Sequence, residues 1–235
     1  EVVKSDHFST RRNMFHWLSD NKRIIVNTAD SGFGVWDPDT NETGTIPGDL
    51  GIGSVIRIAV HPTKDWVAFG SMTGTVVVWD VAENRQLYEF KDLDGIVTEV
   101  NWNPIGSKLM VCRVNERIAV YDLAGETPPY YDTAAPDPKP RAGLFTTISQ
   151  WMPGGQTMSV AHPTDGKLAV LDPDTKKVVD ELQTPFNSRI TAHAWSASGK
   201  YLATASKYVI AISTPDAPSL PLTELRVQDA SEVIL

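Results

Sequence analysis

Short apolar runs, separated by small groups of polar residues, follow one another along most of this chain. Residues 55–87 show the pattern most clearly: three apolar runs are interrupted at positions 61–65 and 71–74, and a more polar fourth segment follows. Runs of this length between turn residues predict β-strands joined by hairpins. One such sheet cannot bury both of its faces alone, so the pattern predicts neighbouring sheets of similar construction.

The pattern recurs at a regular interval. The third strand of each unit is predicted to close on a large apolar residue, at Trp36, Trp79, Tyr121, Leu171 and Ile212. These positions are separated by 43, 42, 50 and 41 residues. The first strands are predicted to end at Trp17, Val60, Trp102, Trp151 and Trp195. A period of about 40–45 residues with four strands per unit is typical of β-propeller blades.

We therefore predict an all-β fold, a single propeller over residues 1–235 built from four-stranded antiparallel blades. The predicted blades are residues 13–53, 54–95, 96–144, 145–188 and 189–235. The tryptophans that recur at one framework position are predicted to lie in the core, and they are Trp17, Trp102, Trp151 and Trp195. Trp66 stands outside this pattern, at the start of a second strand, and is predicted to be partly exposed.

Two short motifs relate these units to a known family. The pair Trp-Asp closes the first two units, and it is replaced by Tyr-Asp, Leu-Asp and Ile-Ser in the later ones. The first strands lead into the turns VHPTKD, WNPIGS, WMPGGQ and WSASGK. Over residues 13–215 the chain resembles the WD40-repeat β-propellers. Because that family most often has seven blades, the resemblance implies an incomplete propeller, or part of a seven-bladed one.

The chain also departs from the family pattern. It has no Gly-His dipeptide, although the family usually places one before the first strand of each unit. The histidine of that pair normally bonds an aspartate in the turn between the second and third strands. The corresponding positions are Asp30, Thr73, Asn115, Asp165 and Ser206. We therefore expect an incomplete polar network and a greater dependence on apolar packing between the sheets.

Charge and composition limit the functional classes. The formal net charge is −8, and an acidic surface repels a phosphate backbone, which disfavours a general nucleic-acid role. The single cysteine, Cys112, lies in an apolar strand pattern and is interpreted as a core residue rather than a reactive thiol. No apolar segment approaches the ~18 residues that cross a bilayer, and no signal-peptide pattern opens the chain. These features favour an intracellular protein, cytoplasmic or nuclear.

Residues with catalytic or metal-binding spacing are not evident. None of the five histidines pairs with another at a metal-ligand spacing, and no nucleophile or phosphate-binding motif occurs. Residues 37–41 and 172–175 alternate carboxylates in the way that a calcium loop begins, but they follow the third strand, where a hairpin turn is expected. We therefore predict no catalytic, cofactor-binding or metal-binding residues, no cofactor and no enzymatic activity.

The candidate partner-binding residues fall into three groups. The resemblance implies that the loops entering the first strands and the turns after the second strands form one face, which would carry Asp30, Asp92, Asp94, Asn115 and Asp165. A proline-containing insertion near residues 124–143 holds Tyr130 and Tyr131 and is predicted to be an exposed outer edge plus a loop. It is either a tolerated surface insertion or a partner-docking loop. Trp66 is the third candidate.

The leading functional hypothesis is a non-enzymatic protein–protein interaction scaffold, a WD-repeat subunit of a larger hetero-complex. Its acidic loops favour partners with basic surfaces or basic peptides. Two alternatives stay open at this point. One is a subunit associated with RNA or DNA. The other is a small-molecule binder or hydrolase at the mouth of a central channel, for which the first strands offer Arg57, Glu99 and His193.

Overall fold

Five four-stranded antiparallel sheets make up the described part of the protein. The computed structural model describes residues 14–28, 32–46, 50–91, 95–114, 117–123, 130–134, 148–162 and 164–226, with residues 117 and 130–134 described by their backbone alone. Every regular element in these residues is a strand. No helix in them has the length and apolar character that a membrane span requires.

The strands of each sheet follow one another in chain order. The first sheet contains β1 (Phe15–Trp17), β2 (Ile24–Asn27), β3 (Phe33–Trp36) and β4 (Thr43–Ile46). The second contains β5 (Val55–Val60), β6 (Trp66–Ser71), β7 (Val76–Asp80) and β8 (Arg85–Phe90). The third contains β9 (Val97–Trp102), β10 (Lys108–Arg113), β11 (Arg117–Asp122) and β12 (Tyr130–Ala134).

The last two sheets repeat the same order. The fourth contains β13 (Ser149–Trp151), β14 (Met158–Ala161), β15 (Lys167–Asp172) and β16 (Lys177–Gln183). The fifth contains β17 (Ala192–Trp195), β18 (Leu202–Ser206), β19 (Val209–Ser213) and β20 (Thr223–Arg226). The predicted all-β fold of five four-stranded sheets is confirmed, and the first strands end at the five predicted residues.

Burial differs between the middle and the outer strands of a sheet. All five residues of β7 are buried, and so are five of the six in β6, because apolar neighbours cover both faces of these strands. The outer strands β16 and β20 are mostly exposed. The continuous apolar runs in the sequence therefore mark the middle strands, and the more polar segments mark the outer ones.

The described chain forms two compact units, of which the first contains Glu1–Val114 and Asp122–Glu126. Its core includes Phe33 of β3 and Phe69 of β6, whose ring centroids lie 4.8 Å apart. Gly70 of β6 lies against β9, where a Cβ at this position would come within 2.6 Å of a methyl group of Val97. A side chain at Gly70 would therefore push neighbouring sheets of this unit apart.

The second unit contains Asn115–Tyr121 and Thr127–Leu235. Its core includes Leu168 of β15, Ile190 before β17 and Leu202 of β18, all fully buried. Gly166 has a φ of +72°, and a Cβ there would collide with the main-chain carbonyl of Phe186. This turn therefore requires glycine for both its backbone conformation and its close contact.

One core prediction is wrong. Trp17 is 55% exposed, whereas Trp102 and Trp151 are buried. The Trp102 indole donates a hydrogen bond to the Ala59 carbonyl of the preceding sheet, at 3.1 Å. β1 is the first strand of the described chain. No described sheet therefore precedes it to cover Trp17 in the way that the second sheet covers Trp102. The extent of the blades and the single-domain organisation stay predictions.

Candidate functional site

The turns between second and third strands are tied to the segments that enter the first strands. In the second sheet, the Thr73 hydroxyl donates to the main-chain carbonyl of Ile52 at 2.8 Å and lies 2.8 Å from the Ser71 hydroxyl. Thr73 occupies the position at which the family has an aspartate. A hydroxyl that reaches a carbonyl directly thus fixes this turn without a histidine.

The fifth sheet has the same arrangement. The Ser206 hydroxyl donates to the main-chain carbonyl of Arg189 at 2.7 Å, and the Ser188 hydroxyl lies 2.8 Å away. Ser206 again stands at the aspartate position of the family. Two described turns, one in each unit, therefore have a short hydroxyl contact that holds the turn against the incoming segment.

Asp165 is the predicted site residue that the structure places most fully. It lies in the turn between β14 and β15, where its carboxylate accepts a hydrogen bond from the Lys167 amide at 3.2 Å. The imidazole Nδ1 of His162 lies 3.7 Å from this carboxylate, and its Nε2 lies 3.8 Å from Glu181 of β16. Lys167 also reaches Glu181, at 3.3 Å. The turn and the adjacent strand β16 therefore present one carboxylate each to solvent, held by the neighbouring His162 and Lys167 side chains.

Trp66 lies in an aromatic cluster at the opposite ends of the strands, in the first unit. It is half-buried, and the Lys64 ammonium lies 3.8 Å from the centre of its ring. The Trp66 indole donates to the Asp80 carboxylate at 3.2 Å. The rings of Tyr88 and Trp102 lie near it, each with its centroid 6.4 Å away. Trp66 is therefore held in place, with one side covered by a lysine.

The loop between β5 and β6 is built around His61. Its Nδ1 accepts hydrogen bonds from the main-chain amides of Thr63 and Lys64, at 3.1 and 3.0 Å. Because Nδ1 accepts, the proton lies on Nε2, which donates to the Gly106 carbonyl of the next sheet at 2.9 Å. Burial lowers the pKa of His61, and the nearby Lys64 ammonium adds to the effect. The neutral ring thus closes its own turn and joins two sheets.

An ion-pair network lies in the same unit. The Arg23 guanidinium bonds the carboxylates of Asp20 and Asp65, each at 2.6 Å, and so joins a loop of the first sheet to one of the second. Desolvation opposes ionisation of Asp20, but the main-chain amides of Arg23 and Lys22, together with the Arg23 guanidinium, lower its pKa to about 2. The network has one more carboxylate than cation. It was not predicted, because the partners are 42 residues apart.

A buried polar contact joins the fourth and fifth sheets, both of which lie in the second unit. The Ser159 hydroxyl of β14 lies 2.8 Å from Nε2 of His193 and accepts a hydrogen bond from the Trp195 indole, also at 2.8 Å. Nδ1 of His193 is buried and has no hydrogen-bond partner among the described residues. Burial lowers the pKa of His193 to about 4, so the ring is neutral at neutral pH. His193 is therefore a core residue between sheets.

The other two channel-mouth candidates lie on the first strands of the first unit. Arg57 of β5 donates to the Thr98 carbonyl at 2.5 Å and to the Ile56 carbonyl at 2.7 Å. Glu99 of β9 accepts a hydrogen bond from Asn101 at 2.7 Å, and its burial raises its pKa. These contacts fix both side chains to the framework of their own unit.

The remaining predicted site residues either lie outside the described residues or are described by their backbone alone. Asp30, Asp92, Asp94 and Asn115 lie outside the described residues. Tyr130 and Tyr131 lie in β12, where they pair with Tyr121 and Val120 of β11. They therefore belong to the outer strand of the third sheet. The proposed roles of all these residues stay predictions.

The turns after the third strands are hairpin turns, as predicted. The Asp37 carboxylate accepts hydrogen bonds from the amides of Asp39 and Thr40, and Asp172 does the same for Asp174 and Thr175. Within the described ranges, no group of three or more histidine, cysteine, aspartate or glutamate side chains is placed to hold a metal ion.

Comparison with known proteins bears on both the repeat and the fold. The family model described as "WD domain, G-beta repeat" matches residues 41–80. This segment begins just before β4 and ends with β7, so it includes the outer strand of one sheet and the first three strands of the next. The sequence repeat is therefore offset by one strand from the structural sheet.

Three curated relatives match parts of the chain. The pre-rRNA-processing protein IPI3 of Mycosarcoma maydis is 33% identical over 33% of this chain and 13% of its own length. The ribosome biogenesis protein erb1 of Aspergillus niger is 32% identical over 43% of this chain and 15% of its length. The small ribosomal subunit protein RACK1z of Arabidopsis thaliana is 24% identical over 50% of this chain and 39% of its length. The chain thus spans well under half of each relative.

A solved structure matches nearly the whole chain. The β-propeller domain of Cps50 (Swd1) from Myceliophteria thermophila superposes with a TM-score of 0.67 over 90% of this chain and 66% of its own, at 13% identity. At that identity the likeness concerns the fold alone. The chain carries a WD40 repeat, and its five four-stranded sheets have the fold of a WD40-type β-propeller.

Proposed function

We propose that this protein is a non-enzymatic protein-interaction scaffold, a WD-repeat subunit of a larger assembly. The observation that carries the proposal is the fixing of the turns after the second strands. Thr73 and Ser206 tie two of them to the incoming segments by short hydrogen bonds to main-chain carbonyls. Loops that are ordered before binding lose little conformational entropy when a partner docks.

The charge at another of these turns, the one between β14 and β15, indicates the kind of partner. Asp165 and Glu181 present carboxylates at one described turn, and the formal net charge of the chain is −8. Complementary charge accelerates association and selects against partners of like charge. We therefore infer a partner with a basic surface or a basic segment, and we include Asp30, Asp92, Asp94 and Asn115 in the same binding face.

The names of the relatives support an assembly rather than an isolated enzyme. Two are named for pre-rRNA processing and ribosome biogenesis, and the third is named as a ribosomal subunit protein. We infer from them that the chain works inside the cell, in the cytoplasm or the nucleus, within a multi-protein complex.

Quantitative affinity purification tests the proposal. We expect a triple variant, Asp92→Ala with Asp94→Ala and Asp165→Ala, to recover its partners at least fivefold less efficiently than the wild-type chain. The matched control makes the same change of charge elsewhere, with Asp174→Ala, Asp216→Ala and Glu224→Ala. Unchanged recovery by the first variant, or an equal loss by both, would remove the acidic turns as the binding face.

A further inference from the structure

The outer strand of the first sheet has an edge that no strand of the described residues covers; we call it the open edge. β4 pairs with β3 on one side and is the last strand in its sheet. Thr43, Gly44 and Thr45 are exposed, and Ile46 is buried. An exposed strand edge presents main-chain donors and acceptors that can pair with a further strand.

The register shows which main-chain groups point outward. The Asp37 amide donates to the Glu42 carbonyl at 2.9 Å, so these two residues occupy a hydrogen-bonded position of the ladder. In an antiparallel ladder such pairs alternate with non-bonded pairs, so Gly44 is bonded to β3, and Thr43 and Thr45 are not. The N–H and C=O groups of Thr43 and Thr45 therefore face the open edge.

A cavity of about 540 Å³ lies beside this edge, within the first unit. Its volume is within the range of about 300–1,000 Å³ that is usual for ligand pockets. Val35, Ile46 and Val81 supply apolar surface, and the β7–β8 turn of the second sheet closes one side with Asn84. The cavity and the open edge are therefore parts of one groove.

Gly44 keeps the groove open. It lines the cavity, and a Cβ built at this position meets nothing within 4 Å. Its φ is not in the left-handed region, so the backbone does not require glycine here. A residue of an added strand that lies opposite Gly44 would project its side chain from the same face, into the space that Gly44 leaves free.

One end of the groove carries acidic side chains. Asp37 and Glu42 line it, and Glu42 lies two residues from Gly44, on the same face of the strand. Arg23 also lines it, but this guanidinium is bonded to two carboxylates outside the groove, those of Asp20 and Asp65. The groove therefore favours a cation two positions away from an apolar side chain.

We propose that the groove between β4 and the β7–β8 turn binds an extended peptide segment of a partner protein. The segment adds as a fifth strand along Thr43–Ile46, places an aliphatic side chain over Gly44 and sets a lysine or arginine two residues away against Glu42 and Asp37. This inference rests on the proposed scaffold function, but it uses a surface that is separate from the acidic turns.

Fluorescence anisotropy with the full chain tests it. The probes are two labelled, capped nonapeptides of serine and threonine, with one lysine two positions before, or two positions after, one leucine. The control probes have the same composition with lysine and leucine adjacent, which sends the two side chains to opposite faces of a strand. We expect one of the spaced probes to bind at least tenfold more tightly than its control.

Three substitutions locate the binding. Gly44→Val fills the free space and should lower the affinity for the probe at least tenfold. Thr45→Pro removes an outward N–H without removing a hydrogen bond to β3, and it should lower the affinity for the probe about fivefold. Thr45→Val keeps that N–H and should bind as the wild-type chain does. Glu42→Lys should lower the affinity for the lysine probe and raise the affinity for a probe in which glutamate replaces lysine.

Circular dichroism and thermal unfolding check that each variant folds. The proposal is overturned if neither spaced probe binds more tightly than its control, or if Gly44→Val and Thr45→Pro bind as the wild-type chain does. The triple variant at Asp92, Asp94 and Asp165 should bind the probe normally. Loss of cellular partners by that variant, with probe binding retained, separates the acidic-turn proposal from this one.

Discussion

His61 in the first unit and His193 in the second both connect neighbouring sheets, but their polar contacts differ. Both ring nitrogens of His61 are hydrogen-bonded, one to two amides of its own turn and the other to the Gly106 carbonyl. His193 has one contact, to Ser159, and its Nδ1 is buried with no partner in the described part of the chain. The same residue type thus makes a complete polar contact in one unit and a partial one in the other.

The difference shows what a degenerate repeat can tolerate. Trp79, one of the two tryptophans of the Trp-Asp pairs, is buried, and its indole nitrogen has no hydrogen-bond partner within the described residues. A buried polar group without a partner costs about 1–3 kcal/mol. The sheets nevertheless form, because apolar packing covers both faces of the middle strands. Polar contacts such as those of His61 then fix particular loops.

The largest expected effect is that of His61→Leu. This change leaves the Gly106 carbonyl without its partner in a buried site, and the amides of Thr63 and Lys64 without theirs in a partly buried one. We expect the free energy of unfolding to fall by about 4 kcal/mol. Urea denaturation followed by tryptophan fluorescence measures it. The matched change in the second unit, His193→Leu, should cost less than about 1.5 kcal/mol, and equal losses would contradict the comparison.

The second effect depends on pH. Burial lowers the pKa of His193 to about 4 in the folded protein, from the 6.5 that is ordinary for histidine. Between these values the unfolded chain binds more protons, so this contribution to stability is complete above pH 6.5 and is lost as the pH falls toward 4. We expect a loss of about 3 kcal/mol over this window. The lowered pKa of His61 acts in the same direction.

His193→Leu separates the two histidines in the same titration. It should remove most of the loss between pH 6.5 and 4 and leave the part that belongs to His61 and His16, whose pKa values are also lowered by burial. Denaturation midpoints measured at intervals across this window show the slope directly. A slope that is unchanged in His193→Leu would contradict the assignment of the acid sensitivity to this buried ring.

A smaller effect is expected for Ser159→Ala. Ser159 accepts the Trp195 indole hydrogen and contacts His193, so its removal leaves two buried nitrogen atoms without their oxygen partner. We expect a loss of about 2 kcal/mol in the free energy of unfolding. Ser159→Thr, which keeps the hydroxyl, is the control. Equal stability of the alanine variant and the wild-type chain would show that this contact adds nothing.

Arg23→Ala should have the smallest effect. The Arg23 side chain is 30% exposed, and those of Asp20 and Asp65 are 28% and 25% exposed, so solvent screens both ion pairs. We expect a loss of at most about 1 kcal/mol that becomes smaller in 1 M salt. Because the pKa of Asp20 is lowered to about 2, the contribution of its carboxylate to stability is present above pH 4 and is lost as the pH falls toward 2. A larger loss, independent of salt, would contradict a screened pair.

The fold could be predicted because its signal repeats. Five apolar positions at similar intervals marked the third strands, and the residues before each turn marked the ends of the first strands. The exposure of Trp17 was missed because sequence periodicity gives no account of which sheet has a neighbour. The insertion that holds Tyr130 and Tyr131 was predicted to be an outer edge plus a loop, but its prolines obscured which residues form the strand β12.

The site was less predictable, because it depends on contacts between distant residues. Asp165 could be proposed from its position in a turn, and His162, three residues earlier, was the available signal for its partner. The pairing of Arg23 with Asp65 and the groove beside Gly44 have no local signature. Each arises where the loops of one sheet meet those of the next, which only the three-dimensional structure shows.

The most direct test of the scaffold function is hydrogen exchange on the full chain, alone and bound to a partner purified with it from cells. The proposed binding face predicts slower exchange on binding in the turns at residues 71–75, 162–166 and 206–208, with the remaining described turns unchanged. Partner binding that leaves exchange in these turns unchanged, and slows it only elsewhere, would contradict the proposal.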